Sequence, residues 1–181
     1  MARPQPTIDD IGNEVAALLR EVEIGALAVV QPDGSPLVAT MHFAGDGFAA
    51  YVHTFTYTRK FAALERDPRV SYTLAYQPPG GFYERQQLRA IQVNGRATRL
   101  TEGADIDRAI EVSGQQFAWL KDSSMFDNFR REGIELRQTF YRVDPEVAMW
   151  NDNRVRMQWR KLLTFSPDGT RITAVDDYTA A

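Results

Sequence analysis

The sequence predicts a mainly β domain, α+β in class, with antiparallel strands in Greek-key or meander order and helices at its flanks. Short runs rich in β-branched and aromatic residues recur along the chain, such as RVSYTLAY and LRAIQVNGRATRL. The links between such runs are short and hold turn residues, as in QPDGSP and SPDG. Helical spacing is confined to a few stretches, too few for the strand–helix alternation of a doubly wound sheet.

In chain order, Thr7 and Asp10 fit a variant of the capping box, so a helix opens there. Ile8, Ile11, Val15, Leu18, Leu19 and Val22 continue it at helical spacing, and Gly25 is the expected stop. ALAVV and LVATMHF read as strands about the QPDGSP turn. AGDG reads as a tight turn before the strand FAAYVHT. A short helix is expected from about Arg59 to Arg66, then the strand RVSYTLAY. QPPGGFYE is a loop, and LRAIQVNGRATRL a long strand bent at Gly95. TEGADIDRAIEVSGQQFAWL and SSMFDNFRREG read as helices. RQTFYRV, EVAMWN, MQWRKLLTF and TRITAVDD read as four closing strands, the last two joined by SPDG. No linker or repeat divides residues 1–181, so one domain is expected: a helix at about 7–24 and a barrel at about 25–176.

The 181 residues suffice for one full core. A net charge of −3 argues against a broad nucleic-acid surface. The absence of cysteine removes disulfides, thiolate metal sites and cysteine nucleophiles. MARPQPTIDD lacks the apolar stretch of a signal peptide, and no segment is long and apolar enough to span a bilayer. A soluble cytoplasmic protein is expected. His42 and His53 are the only histidines. A hairpin turning near Asp46 would not set them opposite each other, so no metal site is expected; one axial histidine would suffice for haem. Arg85, Arg89, Arg130 and Arg131 fit no motif and read as surface.

The stretch TFTYTRKFAALERDPRVS sets hydroxyls and two cations where a strand becomes a helix. Helix N-termini present free N–H groups and attract anions, so a phosphate site competes there with a solvated turn. Guanidinium can hold phosphate in a bidentate way, and Lys60 would act as a point charge.

Four patterns in order resemble the pyridoxine/pyridoxamine 5'-phosphate oxidase-like family, the FMN-binding split barrels. They are IGALAVVQPDGSPLVATMHF, Thr58-Arg59-Lys60 with LERDPRVS, IQVNGRATRLTE, and WNDNRVRMQWR, spanning about Ile24 to Phe165. The resemblance implies a six-stranded antiparallel split β-barrel of Greek-key order and a homodimer with two flavin sites at its interface. It implies that Thr54, Thr58, Arg59 and Lys60 hold the FMN phosphate. It sets Thr40, Met41 and His42 beside the flavin ring, and His53 where the family often has an aromatic residue. Gln92 would hydrogen-bond the ring or ribityl chain, with Trp150 and Arg160 coming from the second subunit. Read without the family, Gln92 is equally the polar face of a strand, and Trp150 and Trp159 are core or interface anchors.

The sequence also departs from the family. Ala44 stands where the authentic oxidases place a substrate lysine, DIDRAIEVSGQQ lacks the Tyr/Arg/Ser spacing, and Arg-x-His becomes Arg156 and Gln158. The flavin half looks kept and the substrate half rebuilt, with Phe43, Trp150 and Trp159 lining the space above the flavin. The expectation is an FMN-dependent oxidoreductase acting on a small organic molecule other than pyridoxine phosphate, with oxygen or a nicotinamide closing the cycle. Catalytic candidates are His42, His53 and Arg156. Two alternatives stand beside it. One is a non-catalytic flavin or haem carrier or stress protein. The other is a deazaflavin-dependent reductase, whose longer acidic tail Arg66 and Arg69 would meet.

Overall fold

The computed structural model describes residues 5–120 and 138–178. SSMFDNFRREG, Arg130 and Arg131 lie outside them. Helix α1 (Ile8–Glu21) opens on Thr7, whose hydroxyl accepts from the Asp10 N–H at 3.1 Å while the Asp10 carboxylate accepts from the Thr7 N–H at 2.9 Å. Its stripe Ile11, Val15, Leu18 and Leu19 is buried, whereas Ile8 is exposed. The helix stops at Glu21, before Gly25.

Nine strands follow among the described residues, against the six expected. They are β1 (Ile24–Val30), β2 (Pro36–His42), β3 (Ala44–Asp46), β4 (Ala49–Phe55), β5 (Arg69–Tyr76), β6 (Arg89–Arg99), β7 (Gln138–Asp152), β8 (Arg160–Phe165) and β9 (Ile172–Asp177). All pair antiparallel in one sheet of order β2-β1-β5-β6-β7-β4-β3, with β8 joining β7 to β9. β2 also approaches β4. The steps from β1 to β5 and from β7 to β4 make this a Greek-key path rather than a simple meander.

Four differences from the sequence reading have local causes. AGD forms strand β3, and the reversal falls at Gly47, whose φ of 62° suits glycine. Gly25 lies in β1, where a Cβ would strike Leu74 and the Thr73 carbonyl oxygen, so glycine serves a close strand crossing. RQTFYRV and EVAMWN join into the single strand β7: Pro145 sits opposite Gly95 at a bulge, where a missing N–H does no harm. Residues 157–159 are a turn before β8, and QPPGGFYE leads into a 3-10 segment at Gly81–Gln87. The bend expected at Gly95 is present, and a Cβ there would collide with the Asp144 carbonyl. Helix α2 (Arg59–Arg66) and strand β5 have the expected bounds.

The inner face of the sheet, with α1 against it, forms the main core around Phe43, Tyr72, Ile91, Val143 and Trp150. Arg89, read as surface, is buried there. It donates to Glu21 at 2.7 Å and lies 4.6 Å over the Tyr76 ring. On the outer face, α3 (Gly103–Gln116) covers β3, β4 and β7 through Ala44, Tyr51, Ala109, Phe117 and Phe140. The Gln116 amide fastens that layer. It donates to the Leu19 and Phe43 carbonyls at 3.1 and 3.0 Å and accepts from the Gly45 N–H at 2.9 Å.

Replacing Gln116→Leu keeps the volume and strands three backbone groups. At about 1–3 kcal/mol for each unsatisfied buried group, urea unfolding should show a loss of several kcal/mol. A loss below about 1 kcal/mol would show that water satisfies these groups and that α3 is held by its apolar face alone.

Candidate functional site

The end of β4 and the start of α2 bring one corner together beside the split between β2 and β4. Thr54, buried on the inward side of β4 one residue before its end, has its hydroxyl 3.0 Å from that of Thr58. Thr58 caps α2: its hydroxyl donates to the Phe55 carbonyl at 2.9 Å and accepts from the Phe61 N–H at 3.3 Å. Arg59 and Lys60 then occupy the first helical turn, which contains no acidic residue. A helix start already bears about half a positive charge, so cations there are repelled, each by about 0.3–1 kcal/mol. Among the described residues neither forms an ion pair, unlike Arg69, Arg99 and Arg108. Arg59 donates only to the neutral Gln31 amide, at 2.9 Å.

His53, on β4, packs its ring 5.8 Å from Phe140. Burial above all, and then the charges of His42 and Lys60, hold its pKa down to about 4. The structure thus sets the two histidines within electrostatic reach across the barrel split, not as hairpin partners. His42 Nδ1 is 2.7 Å from Glu23 Oε1, which also accepts from Trp119 Nε1 at 2.6 Å. Its ring lies 5.3 Å from Trp119 and 5.8 Å from Phe117. Glu23, Gln31, Phe117 and Trp119 escaped the sequence reading, because their partners lie 19 to 96 residues away. No group of three His, Cys, Asp or Glu side chains gathers as a metal site among the described residues.

The other expected site residues divide. Thr40 is exposed on the outer face, two residues before His42, whereas Met41 turns into the core. Gln92 is exposed on the same face, in a cross-strand row running Thr40, Ala26, Thr73, Gln92, Met149. Three strand spacings, about 14 Å, separate it from Thr40. Trp150, Trp159 and Phe43 are 1%, 3% and 0% exposed. They are core residues and do not line an open space above a ligand. Arg156 and Arg160 are exposed near the other end of β7. Thr139 faces Thr54 and Asn151 faces Arg160. The twelve intervening steps of strand measure about 40 Å.

Trp150 and Trp159 instead back a cleft of about 650 Å³ beneath α1, which Asp10, Glu14, Asp152 and Arg154 also line. Three carboxylates against one guanidinium make it unsuitable for phosphate. The α2 corner offers the reverse: two cations without an ion pair among the described residues, two hydroxyls and a helix start. That donor set fits a flavin phosphate.

A family model for pyridoxamine 5'-phosphate oxidase matches residues 11–143. The chain belongs to that family. Its nine-stranded sheet is the split barrel of the pyridoxamine 5'-phosphate oxidase family. Solved structures share the fold at low identity. A heme binding protein from Mycobacterium smegmatis superposes with a TM-score of 0.68 at 16% identity, over 89% of this chain and 59% of that one. The present chain thus spans under two thirds of that protein. A FAD-binding protein from Mesorhizobium loti gives 0.54 at 19%, over 75% and 90%. General Stress Protein 26 from Bacillus anthracis gives 0.54 at 19%, over 77% and 92%. No curated protein matches the sequence. No helix among the described residues is long and apolar enough to cross a membrane.

His53 carries a pH dependence of known sign. Its folded pKa of about 4 lies below the unfolded 6.5. Between those values the unfolded chain binds a proton that the folded chain refuses. The stabilisation is therefore complete above pH 6.5 and is lost as pH falls toward 4, by at most about 3 kcal/mol. Urea unfolding from pH 7.5 to 4.5 should show this slope, and His53→Gln should flatten it. An unchanged slope in the variant would place the titration elsewhere.

Proposed function

We propose that this protein is a flavin-dependent oxidoreductase that holds FMN by its phosphate at the start of α2 and acts on a small organic substrate. The observation that carries the reading is the pair Arg59 and Lys60, without an ion pair among the described residues, on a helix start that itself repels cations. A phosphate dianion removes that repulsion and gains charge-assisted hydrogen bonds. Bound there, FMN would supply two-electron, hydride-type chemistry. The chain's own residues bind and orient: Thr54 and Thr58 offer hydroxyls, Arg59 and Lys60 charge, and neutral His53 a hydrogen bond. Phe117 and Trp119 shield one side from water, and Glu23 fixes the His42 ring.

The same reading includes a homodimer. The outer face of β2, β1, β5 and β6 presents Val38, Thr40, Ala26, Ala28, Ser71, Thr73, Gln92 and Asn94, all uncharged. Arg69 and Arg96 mark its charged margin, and the uncharged exposed area inside it suits a second copy. A partner would bring its Gln92 and Arg160 near a cradle that its own chain's copies lie far from. Trp150 belongs to the core and drops out of this set. Ala44 is fully buried beside Tyr51, so no cation for a phosphorylated vitamer stands there, and pyridoxine phosphate is a poor substrate in this reading.

Two other cofactors have different support. Haem is favoured by His42, whose Nδ1 is engaged by Glu23 and whose ring is flanked by aromatics. Deazaflavin is disfavoured because Asp67 already holds Arg69 through contacts at 2.6–3.1 Å. A Soret band in the purified protein would favour haem over the flavin reading.

The variant Arg59→Ala/Lys60→Ala should lose two contacts of about 1.5–3 kcal/mol each. FMN affinity, measured by fluorescence titration, should fall at least about a hundredfold. Light scattering should still give about 41 kDa, twice the 20.5 kDa chain. Unchanged affinity in a folded variant would remove the cradle, and a 20.5 kDa particle in the wild type would remove the shared site.

A further inference from the structure

The cleft beneath α1 carries charge that the fold does not use up. Asp10 and Glu14 both line it, four residues apart on α1. Carboxylates at that spacing are neighbours on the helix surface and repel each other. The Thr7 N–H and hydroxyl both donate to Asp10 Oδ2, at 2.9 and 2.7 Å. Arg154 donates to Glu14 Oε2 at 2.6 Å, and Arg89 lies 3.9 Å from the same oxygen. Asp10 Oδ1 and Glu14 Oε1 take part in none of these contacts. Asp152 differs: Arg154 engages both its oxygens, at 2.7–2.9 Å.

The rest of the lining is largely apolar. Pro6, Ile11 and Val155 join Trp150 and Trp159 there. The Trp159 indole N–H donates to Gln5 Oε1 at 2.9 Å, so that ring presents carbon and no free donor. A volume of about 650 Å³ is ordinary for a small-molecule site. Three carboxylates against one guanidinium leave an excess of two negative charges along the lining. The hydrogen bonds from the Thr7 hydroxyl and then its N–H hold the Asp10 carboxyl below the usual carboxylate range, so it is charged at neutral pH.

We infer that this cleft is a second ligand site and that it takes a protonated primary amine on an apolar body. An ammonium has three donors and no acceptor. It bridges Asp10 Oδ1 and Glu14 Oε1, relieves the repulsion between them and forms charge-assisted hydrogen bonds to both. The apolar body lies along Pro6 and Val155, above the tryptophans. The same excess of negative charge turns anions away, the opposite of the α2 corner. This site stands independently of the flavin reading.

The test is calorimetric titration of the full chain with phenethylamine, with its neutral counterpart phenethyl alcohol and with the anion hydrocinnamate. The amine should bind saturably and at least about tenfold more tightly than the alcohol, with the anion weakest of the three. Glu14→Gln should cancel most of the amine's advantage and leave alcohol binding unchanged. Asp10→Asn gives a second reading, because its amide oxygen still accepts from Thr7 and keeps the helix start. Equal affinities for amine and alcohol would overturn the inference, as would an absence of saturable amine binding at millimolar concentration. An amine affinity unchanged in both folded variants would place the binding elsewhere and overturn it as well.

Discussion

Positive charge gathered at the start of α2 is the constraint on which this account depends. Thr58 caps the helix, the helix start adds its own partial charge, and Arg59 and Lys60 follow with no carboxylate paired to them among the described residues. Several other cations are paired: Arg108 meets Asp46 and Glu111, and Arg154 meets Asp152 and Glu14. A corner left positive in a chain of net charge −3 is the feature on which the proposed anion site rests. The pKa of the adjacent His53 is lowered by burial first, with His42 and then Lys60 adding smaller contributions.

The rest of the fold holds that corner in place. Strand β7 runs the length of the sheet and pairs with β6, β4 and β8, so one strand fixes both the cradle and the distant Arg160 end. Its bulge needs glycine at position 95, and the β1–β5 crossing needs glycine at position 25. Gln116 ties α3 to the end of α1 and to the β2–β3 connection with a single amide. The aromatic end of α3 can then shelter His42.

Features specified within a few residues were legible in the sequence. Helix α2 follows from the Thr58 cap and the Asp67-Pro68 stop. β5 follows from its alternation, and the α1 start from Thr7 and Asp10. Features that depend on pairing were not. Asp144-Pro145 reads as a break until Gly95 is seen opposite it. Trp150 reads equally as core or as an interface anchor because the bulge resets which face each β7 residue takes, and only the paired sheet shows it pointing into the core. His42 and His53 belong to strands that are not paired with each other, so their mutual influence is invisible to spacing alone. Thr54, Thr58, Arg59 and Lys60, singled out by the family resemblance, do fall together at the start of α2, yet the resemblance could not show how far Gln92 and Arg160 lie from them.

The most direct test compares FMN with riboflavin, which has the same ring and ribityl chain and no phosphate. Calorimetric titration of the flavin-stripped protein isolates what the α2 corner contributes. The account predicts that FMN binds at least about a hundredfold more tightly, the worth of two charge-assisted contacts. Equal affinity for the two would mean that the ring alone is recognised, and that Arg59 and Lys60 are solvated charges on an ordinary turn.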